Sequence, residues 1–523
     1  MLTDIRSAPT VPALSRLRPA WRSLALLAGL TLLGMGLRLF RLHYAGYWHD
    51  EVISIFAARA SAGEIYRSIT ASDTHPPLYH ILLHFWGRLF GYELIAARLF
   101  SVVLSTLCIP VTWLLGRALA GPGAGLLAAA LMALSPFQIF HGQQARMYPL
   151  LTLAALLALL SFWHAWEKGA VWRWALFALA TAAGFYTHVY FSFSALGLGL
   201  WAIYVSARQR RIDQRAWTGL ILATCVAVLL FVPFLPTMLA LTGGVVSNFW
   251  IRANTPLDWL FALIAILNNA TALDGRAPYG VLLFLYVAAA GALVLAASVA
   301  LRGCRRADPA WRGWSLLLFA ILTPCLTATL LSLTVRPILL DRSLIGVSGP
   351  LFVLLGWTAV RGWARPLTRI TAVATLSSVL IGLTLTYPVS PRPHSLQPLI
   401  ETVFRERQPG DAVIVLDWQS FDLTALLYPD APDVYVGSSE ADIAYWQRRM
   451  AFMGWHTPDQ VGPPAAYAGR VRRIWVLGTP YTYPETWNAV TSWLDAHGRV
   501  VEEREMAAGE VGWLLVYAMA PAP

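Results

Sequence analysis

Charged residues are scarce in this 523-residue chain, at 13% of the sequence, whereas hydrophobic residues make up 57%. Soluble domains carry about 25% charged residues, so the composition excludes an ordinary soluble protein. A mean hydropathy of +0.57 indicates a polytopic membrane protein instead. The first apolar run follows several arginines and precedes many other apolar runs, so we interpret it as a signal anchor and not as a cleaved signal peptide.

Cysteine is also scarce, and residues 388–523 contain none. This absence excludes a disulfide framework in that region. No CxxC pair or His/Cys cluster indicates structural zinc, and no G-x-G-x-x-G follows a predicted strand to indicate a nucleotide site. The four cysteines lie in apolar runs or basic loops, at Cys108, Cys225, Cys304 and Cys325.

Acidic residues are the minority charge, and the chain has a net charge of +11. Residues 388–523 hold 10 Arg and 16 acidic residues, a balance of −6, so the rest of the chain carries +17. The excess arginine lies in short connections between apolar runs, which is typical of cytoplasmic loops. We therefore predict no nucleic-acid partner. The arginine-rich connections are residues 1–22, 207–215, 302–312 and 361–369.

Apolar runs of about 20 residues can cross a bilayer, and they predict about eleven transmembrane helices. Keeping the arginine-rich connections on one side makes segments 76–91 and 257–272 interfacial or re-entrant helices. The N-terminus is then cytoplasmic, in a multi-pass protein of the cell (inner or plasma) membrane. The predicted spans lie near 23–41, 94–116, 123–140, 149–166, 172–188, 190–206, 216–237, 279–301, 313–334, 340–360 and 370–387.

Three regions follow from this pattern: a cytoplasmic N-terminus (1–22), a transmembrane domain (23–387) and an extracytoplasmic α/β domain (388–523). In the last region, continuous apolar runs predict buried parallel strands. The predicted strands are Ala412–Leu416, Ile474–Leu477 and a terminal pair, Val500–Glu505 and Gly512–Tyr517, and the predicted helices are Leu396–Arg407 and Asp442–Phe452.

Polar residues distant in sequence gather on the predicted outer face. Asp50 and Glu51 follow the first span directly. Acidic side chains at a bilayer surface are costly and usually functional. The other candidates on this face are Asp73, His75, Arg146, Tyr148, Arg336 and Arg342.

Four segments together resemble the integral-membrane glycosyltransferases of the GT-C fold: Tyr47–Glu51, Asp73–Leu78, Ala145–Tyr148 and Arg336–Arg342. The resemblance is to bacterial family 39-type proteins, which are related to protein O-mannosyltransferases and to the lipid A aminoarabinose transferase. It covers about residues 20–390. It implies a polyprenyl-phosphate-linked sugar donor, an extracytoplasmic lipid, glycan or protein acceptor, and transfer with inversion.

The resemblance makes Asp50 and Glu51 the acidic pair of the first outer loop. We expect Asp50 to be the base that takes the acceptor proton, with Glu51 orienting it or binding the acceptor. Coupling between adjacent carboxylates would raise one pKa. The alternative is that Asp50 caps a helix over Val52–Ala62.

His75 and Arg146 are candidates for binding the donor phosphate. His75 stands where the aminoarabinose transferase has a lysine before Pro-Pro, and its alternative is a simple turn residue. The alternative for Arg146 is snorkelling at the interface. Arg342, at the start of a span, needs an anionic partner, which is either the lipid phosphate or Asp341; Arg336 is a weaker phosphate candidate.

Tyr148 either hydrogen-bonds the donor or sits in the aromatic belt, and Asp73 either helps to form the acceptor site or is a solvated turn residue. His80 and His84 have metal-ligand spacing, but the sequence fixes no third ligand. We therefore predict no cofactor and no metal site, with a divalent ion near Asp50 as the open alternative.

Two other function classes fit a polytopic membrane chain. A lipid or sugar transporter (flippase) would move its substrate without chemistry, but such proteins usually show internal repeats and none is visible here. A non-catalytic scaffold would use the acidic region 388–523 to bind a partner.

Overall fold

The computed structural model describes residues 14–72, 75–244, 251–305, 308–386, 396–429, 431, 433–437, 461–462, 471–479, 482, 484–507 and 511–519. Helices dominate the chain up to residue 386, and all the described strands follow. The first ten helices are α1 (Leu14–Leu39), α2 (His49–Arg59), α3 (Ala62–Ser72), α4 (Leu78–Phe90), α5 (Leu94–Ala120), α6 (Pro122–Leu134), α7 (Pro136–Gly142), α8 (Tyr148–Lys168), α9 (Val171–Phe185) and α10 (Phe191–Gln209).

Seven more helices are described between residues 214 and 386. Three short 3-10 helices interrupt the series, at Val232–Phe234, Ala270–Leu273 and Asp341–Val347. The helices are α11 (Gln214–Phe231), α12 (Leu235–Gly244), α13 (Asp258–Asn268), α14 (Tyr279–Gly303), α15 (Trp311–Thr334), α16 (Ser348–Gly362) and α17 (Pro366–Thr386).

Eight helical segments in the described residues are long and apolar enough to cross a membrane. A ninth is obtained if α6 and α7 count as one span, although they meet at a 56° bend beside Pro136. The eight are Trp21–Leu39, Leu94–Ala120, Tyr148–Lys168, Gln214–Leu239, Tyr279–Gly303, Trp311–Thr334, Asp341–Gly362 and Pro366–Thr386. The chain is thus a multi-pass membrane protein.

The predicted number of eleven spans is not confirmed. The segment near 172–188 forms α9, whose 15 residues extend about 22 Å against a hydrocarbon core of about 30 Å. The segment near 190–206 forms α10, in which serines, glycines and a terminal arginine dilute the apolar residues. The two segments expected to be interfacial or re-entrant form the short helices α4 and α13.

The C-terminal region folds as an α/β unit with a six-stranded sheet in the order β3-β2-β1-β4-β6-β5. β1, β2, β3 and β4 are parallel, β6 runs antiparallel to β4, and β5 and β6 form the predicted antiparallel terminal pair. Its elements are α18 (Gln397–Glu406), β1 (Asp411–Val415), α19 (Trp418–Leu427), β2 (Val434–Gly437), β3 (Val461–Gly462), β4 (Arg473–Gly478), α20 (Pro484–His497), β5 (Gly498–Ala507) and β6 (Val511–Met519).

The central strand β1 is buried along its whole length, as its apolar sequence predicts. Alternate side chains point to opposite faces of a strand. Val413 and Val415 join a hydrophobic cluster that includes α18 and α19, while Ile414 packs in a second cluster with α20. The first cluster continues into α2 and α4 of the helical domain, so α19 joins the sheet to the membrane domain. The predicted helix Asp442–Phe452 lies outside the described residues.

Candidate active site

The site begins at α2, whose first turn carries Asp50 and Glu51. Trp48 is the residue that precedes the helix, and its backbone N–H donates to Glu51 Oε2 at 3.2 Å. This bond is one half of a capping box, and it shows that Asp50 is not the N-cap. Both carboxylates lie at the positive end of the helix dipole, which stabilises negative charge.

Glu51 is fully buried in a two-point ion pair with Arg98 of α5. Arg98 Nε donates to Glu51 Oε1 at 2.8 Å, and Arg98 Nη2 donates to Glu51 Oε2 at 2.6 Å. The same guanidinium donates to the carbonyl oxygens of Leu42, Ala45 and Gly46. A charge buried without a partner is strongly destabilising, so this pair fixes the loop before α2 against α5.

Glu51 also holds the turn between α7 and α8. Its Oε1 accepts from the backbone N–H of Ala145 at 2.9 Å. We expected Glu51 to orient Asp50 or to bind the acceptor. Its carboxylate instead bonds to Arg98 and to backbone N–H groups, with no exposed surface. Glu51 therefore joins three elements and positions the turn that carries Arg146.

Arg146 reaches from this turn back to the start of α2, and it is almost fully buried. Its Nη1 donates to the backbone oxygen of Asp50 and to Ser54 Oγ, both at 3.1 Å. Its Nε lies 3.9 Å from Asp50 Oδ2. The Asp50 side chain keeps 27% of its surface exposed, so the expected base and one expected phosphate ligand meet at an accessible point.

His75 contacts the same guanidinium. Arg146 Nη2 donates to His75 Nδ1 at 3.3 Å. Because a guanidinium has no acceptor, His75 Nδ1 must be the acceptor, which places the ring proton on Nε2. The His75 ring lies 4.9 Å from the ring of His188, whose Nδ1 accepts from the backbone N–H of Tyr190 at 3.1 Å. A second imidazole therefore stands beside His75.

Arg342 approaches the site from the 3-10 helix Asp341–Val347. Its guanidinium carbon lies 5.5 Å from the centre of the Trp48 ring, and its charge acts on Asp50. The Asp341 carboxylate accepts from the backbone N–H of Arg342 at 2.6 Å. The structure thus brings two arginines from distant parts of the chain to one half-exposed carboxylate.

These cations determine the ionisation of Asp50. Burial alone would raise the pKa of Asp50, but Arg146, His49 and Arg342 outweigh burial and hold that pKa well below its usual range. The expectation that two coupled carboxylates raise one pKa at this position is wrong for Asp50, because the Glu51 charge is neutralised by Arg98. Asp50 is therefore an ionised carboxylate at neutral pH.

Three other predicted residues have different outcomes. Tyr148 is 2% exposed at the start of α8 and packs against the His141 ring at 5.0 Å, so it is not an aromatic-belt residue. Arg336 follows the end of α15, where its backbone N–H donates to Leu331, and its contact with a phosphate stays a prediction. Asp73 lies outside the described residues.

The two histidines with metal-ligand spacing are buried in α4. His84 Nδ1 donates to the carbonyl oxygen of Ala58 at 2.9 Å, so a structural contact occupies one of its two nitrogens. Across the part of the chain that the structure describes, no three His, Cys, Asp or Glu side chains are grouped to hold a metal ion.

Sequence reasoning missed three residues around this site. Arg98 stands in the second turn of a membrane-spanning helix, and such an arginine requires a partner, so the signal that singled out Arg342 could also have found it. His49 and Asp422 gave no comparable signal. They form a buried contact of 2.9 Å although 373 positions separate them.

Comparison with known proteins places this geometry in context. Residues 74–236 match the family described as dolichyl-phosphate-mannose-protein mannosyltransferase. This segment contains His75, Arg146 and Tyr148. No curated protein matches the chain in sequence.

Solved structures match almost the whole chain. ArnT from Cupriavidus metallidurans in the apo state has a TM-score of 0.63 at 13% identity, covering 97% of this chain and 100% of ArnT. ArnT bound to undecaprenyl phosphate gives 0.62 at 14% identity, with 96% and 99% covered. The archaeal oligosaccharyltransferase AglB from Archaeoglobus fulgidus gives 0.55 at 12% identity, with 96% and 74% covered. The chain is therefore an integral-membrane protein of the GT-C fold, and its residues 74–236 match the model of a mannosyltransferase family.

Proposed function

We propose that this chain is a glycosyltransferase that moves a hexosyl or pentosyl group from a polyprenyl-phosphate donor to a hydroxyl of a lipid, glycan or protein acceptor. The observation that carries the proposal is the half-exposed Asp50 carboxylate beside Arg146, Arg342 and His75. One group can accept a proton there, and the others can bind an anion. The proposed site lies on the extracytoplasmic side of the cell membrane.

The donor phosphate would bind between the two arginines. Arginine binds phosphate through paired, charge-assisted hydrogen bonds, and Arg146 is rigidly held because it also bonds to Ser54. His75 accepts from Arg146 through Nδ1, so its Nε2–H would be a further donor to the phosphate. An ArnT structure of the same fold contains undecaprenyl phosphate, and an AglB structure contains a dolichol-phosphate, which supports a polyprenyl-phosphate ligand.

The chemical step would proceed by displacement at the anomeric carbon. The acceptor oxygen forms a bond to C1 while the bond between C1 and the phosphate oxygen breaks, and polyprenyl phosphate leaves with the electron pair. The acceptor hydroxyl proton passes to an Asp50 oxygen. Arg146 and Arg342 would stabilise the negative charge that grows on the leaving phosphate, which is the electrostatic contribution that a preorganised site can make.

Donor binding would also change Asp50 as a base. In the free site, Arg146 and Arg342 stabilise the ionised carboxylate and keep its pKa low. A bound phosphate adds negative charge next to the same cations, and nearby like charge raises a carboxylate pKa. Asp50 is then a stronger base when the donor is present than when it is absent, which favours proton transfer in the loaded site.

Binding of undecaprenyl phosphate to the purified protein tests the phosphate site. In native mass spectrometry, we expect Arg146→Gln to weaken binding at least about tenfold, because a buried charged hydrogen-bond donor contributes more than about 1.4 kcal/mol. The matched control is Arg173→Gln, since this arginine lies just beyond the opposite end of α8, against Trp172. Equal binding by both variants and the wild type would contradict the site.

Turnover tests the reaction itself. Proteoliposomes carrying the protein would receive undecaprenyl-phosphate-linked sugars and an envelope lipid extract, with products analysed by mass spectrometry. A transferase releases undecaprenyl phosphate in step with a newly glycosylated acceptor. Donor that crosses the bilayer with its sugar still attached would instead identify a flippase. In cells, loss of the gene should remove one sugar from the envelope lipids, glycans or proteins.

A further inference from the structure

The C-terminal domain touches the helix that carries the candidate base. α19 packs against α2, and the backbone N–H of Tyr47 donates to Gln397 Oε1 at 3.2 Å. His49 lies edge-on to the Trp418 ring with 4.1 Å between ring centres. His49 Nε2 is 2.9 Å from Asp422 Oδ2. The contact is therefore a specific polar one within an apolar interface.

The two members of this pair are buried. His49 is 7% exposed and Asp422 is fully buried. A carboxylate buried in this way needs a charged or hydrogen-bonding partner, and His49 is one that the membrane domain supplies. Removal of the C-terminal domain would expose His49, and removal of His49 would leave Asp422 without this contact.

The position of Asp422 follows from the topology of the sheet. β1 lies between β2 and β4 and is parallel to both. The connection that leaves β1 leads to β2 on one side, and the connection that leaves β4 leads to β5 and β6 on the other side. Such switch points at the carboxyl ends of strands are where open α/β sheets bind ligands. α19 begins at this edge, where Asp417 caps it by accepting from the N–H groups of Gln419 and Ser420. α19, which starts at this edge of the sheet, packs against α2.

The second nitrogen of His49 faces the candidate base. His49 Nδ1 is 3.8 Å from Asp50 Oδ1, which is an ion-pair distance and not a hydrogen bond. A neutral imidazole has one N–H, whereas the imidazolium has two. The charged ring can therefore donate to Asp422 and at the same time present a positive N–H to Asp50. Burial lowers the pKa of His49, but Asp422 and Asp50 outweigh burial and raise it.

We propose that His49 is a positioning residue for Asp50, and that the C-terminal domain completes the active site by supplying Asp422 to hold it. The inference rests on the proposed glycosyl transfer. Asp422 fixes the orientation of the imidazole, and the imidazole faces Asp50 Oδ1, whereas Arg146 faces Asp50 Oδ2. When the donor phosphate engages Arg146 and Arg342, His49 remains as the cation that orients Asp50.

Three variants and one control test this arrangement by activity. His49→Gln and Asp422→Asn should each lower kcat about tenfold, which corresponds to about 1.4 kcal/mol, with little change in KM for the donor. The double variant should be no slower than either single variant, because each substitution removes the same interaction between His49 and Asp422. The control is Asp411→Asn, which removes a buried carboxylate of the same domain that pairs with Arg473 and not with α2.

A structural role for the interface alone would give a different pattern. Asp411→Asn should lower the thermal midpoint of the protein but leave kcat unchanged. If Asp422→Asn also left kcat unchanged, or if the losses from His49→Gln and Asp422→Asn multiplied in the double variant, the positioning role would be wrong. Thermal unfolding of each purified variant confirms that the compared proteins are folded.

A readout without turnover separates this inference from the proposed function. Protein with 15N-labelled histidine in detergent micelles gives the titration of His49 by NMR, assigned by its absence in His49→Gln. Asp422→Asn should lower the midpoint of this titration, and Asp411→Asn should not. An unchanged midpoint overturns the pair whether or not the protein transfers sugar. A lowered midpoint in a protein without transferase activity would contradict the proposed function but support the contact between His49 and Asp422.

Discussion

Asp50 and Glu51 are neighbours in sequence with opposite surroundings. Glu51 is fully buried and bound at two points by Arg98, whereas Asp50 keeps 27% of its side chain exposed, with Arg146 at 3.9 Å. Successive helix residues point about 100° apart, so one side chain enters the core while the next lines the surface. The comparison shows that two adjacent acidic residues can have different roles. Glu51 holds the elements of the site together, and Asp50 is the group available for chemistry.

The largest expected effect is on the buried member of the pair. Glu51→Ala leaves the Arg98 charge without its carboxylate, and breaking a buried pair costs about 3–5 kcal/mol. We expect a lower thermal midpoint, a poor yield of folded protein and no activity. Replacing both partners, as in Glu51→Leu with Arg98→Leu, should restore part of the stability because no buried charge remains. A stable Glu51→Ala protein would show that the pair is dispensable.

Asp50→Asn should reduce activity much more than it reduces stability. Asparagine is nearly isosteric and the side chain keeps 27% of its surface exposed, so we expect the variant to fold. Its thermal midpoint should fall less than that of Glu51→Ala, although it loses the charge that Arg146, His49 and Arg342 stabilise in the folded state. The rate of sugar transfer should fall by about 10²–10⁴, the usual contribution of a general base. Turnover by purified, folded variant with the natural donor measures this. Full activity of Asp50→Asn would show that another group takes the proton, and a large loss of stability would erase the distinction from Glu51.

The pH dependence of thermal stability tests the contribution of His49, which contacts the Asp50 side chain. Because Asp422 and Asp50 outweigh burial and raise the pKa of His49, the folded state holds this proton more tightly than the unfolded chain does. The resulting stability is fully present below about pH 6.5, the unfolded pKa, and is lost as the pH rises through the folded pKa. The thermal midpoint of the wild type should therefore fall with rising pH relative to that of His49→Gln. Parallel curves for the two proteins would contradict this.

The smallest effect belongs to an exposed ion pair at the other end of the bundle. Arg312 and Glu167 lie 2.8 Å apart, with 33% and 31% of their side chains exposed. Surface pairs contribute about 0–1 kcal/mol because water and salt screen them. Glu167→Gln should therefore change the thermal midpoint little, even though its distance resembles that of the Glu51 pair. A decrease in thermal midpoint as large as that of Glu51→Ala would show that burial does not determine how much an ion pair contributes to stability.

Much of the fold is predictable from the sequence because hydrophobic period and length are local properties. β1, β4 and the terminal pair β5 and β6 agree with the predicted strands, and α18 agrees with its predicted helix. The number of spans is less predictable. α9 has only 15 residues, serines and glycines dilute the apolar residues of α10, and α6 and α7 meet at a 56° bend beside Pro136. Small differences in length and composition therefore determine whether each of these segments can span the membrane.

The candidate site is only partly predictable, for a physical reason. Charge and position in a predicted outer loop single out Asp50, Arg146 and Arg342, and the structure brings these three together. Whether a carboxylate faces water or the core depends on which distant residue meets it, and Glu51 meets Arg98 because α5 packs beside α2. No local pattern announces that Asp422 lies against His49, since the contact forms between two domains.

The separation of the partners along the chain has a consequence for biosynthesis. Glu51 is made 47 residues before Arg98 and 94 residues before Ala145, and His49 is made 373 residues before Asp422. During translation, the α2 segment therefore exists for some time as an unpaired acidic stretch that favours water over lipid. It docks after α5 has inserted, and its last contact forms when the final domain has folded. The site is therefore complete only after nearly the whole chain has been synthesised and folded.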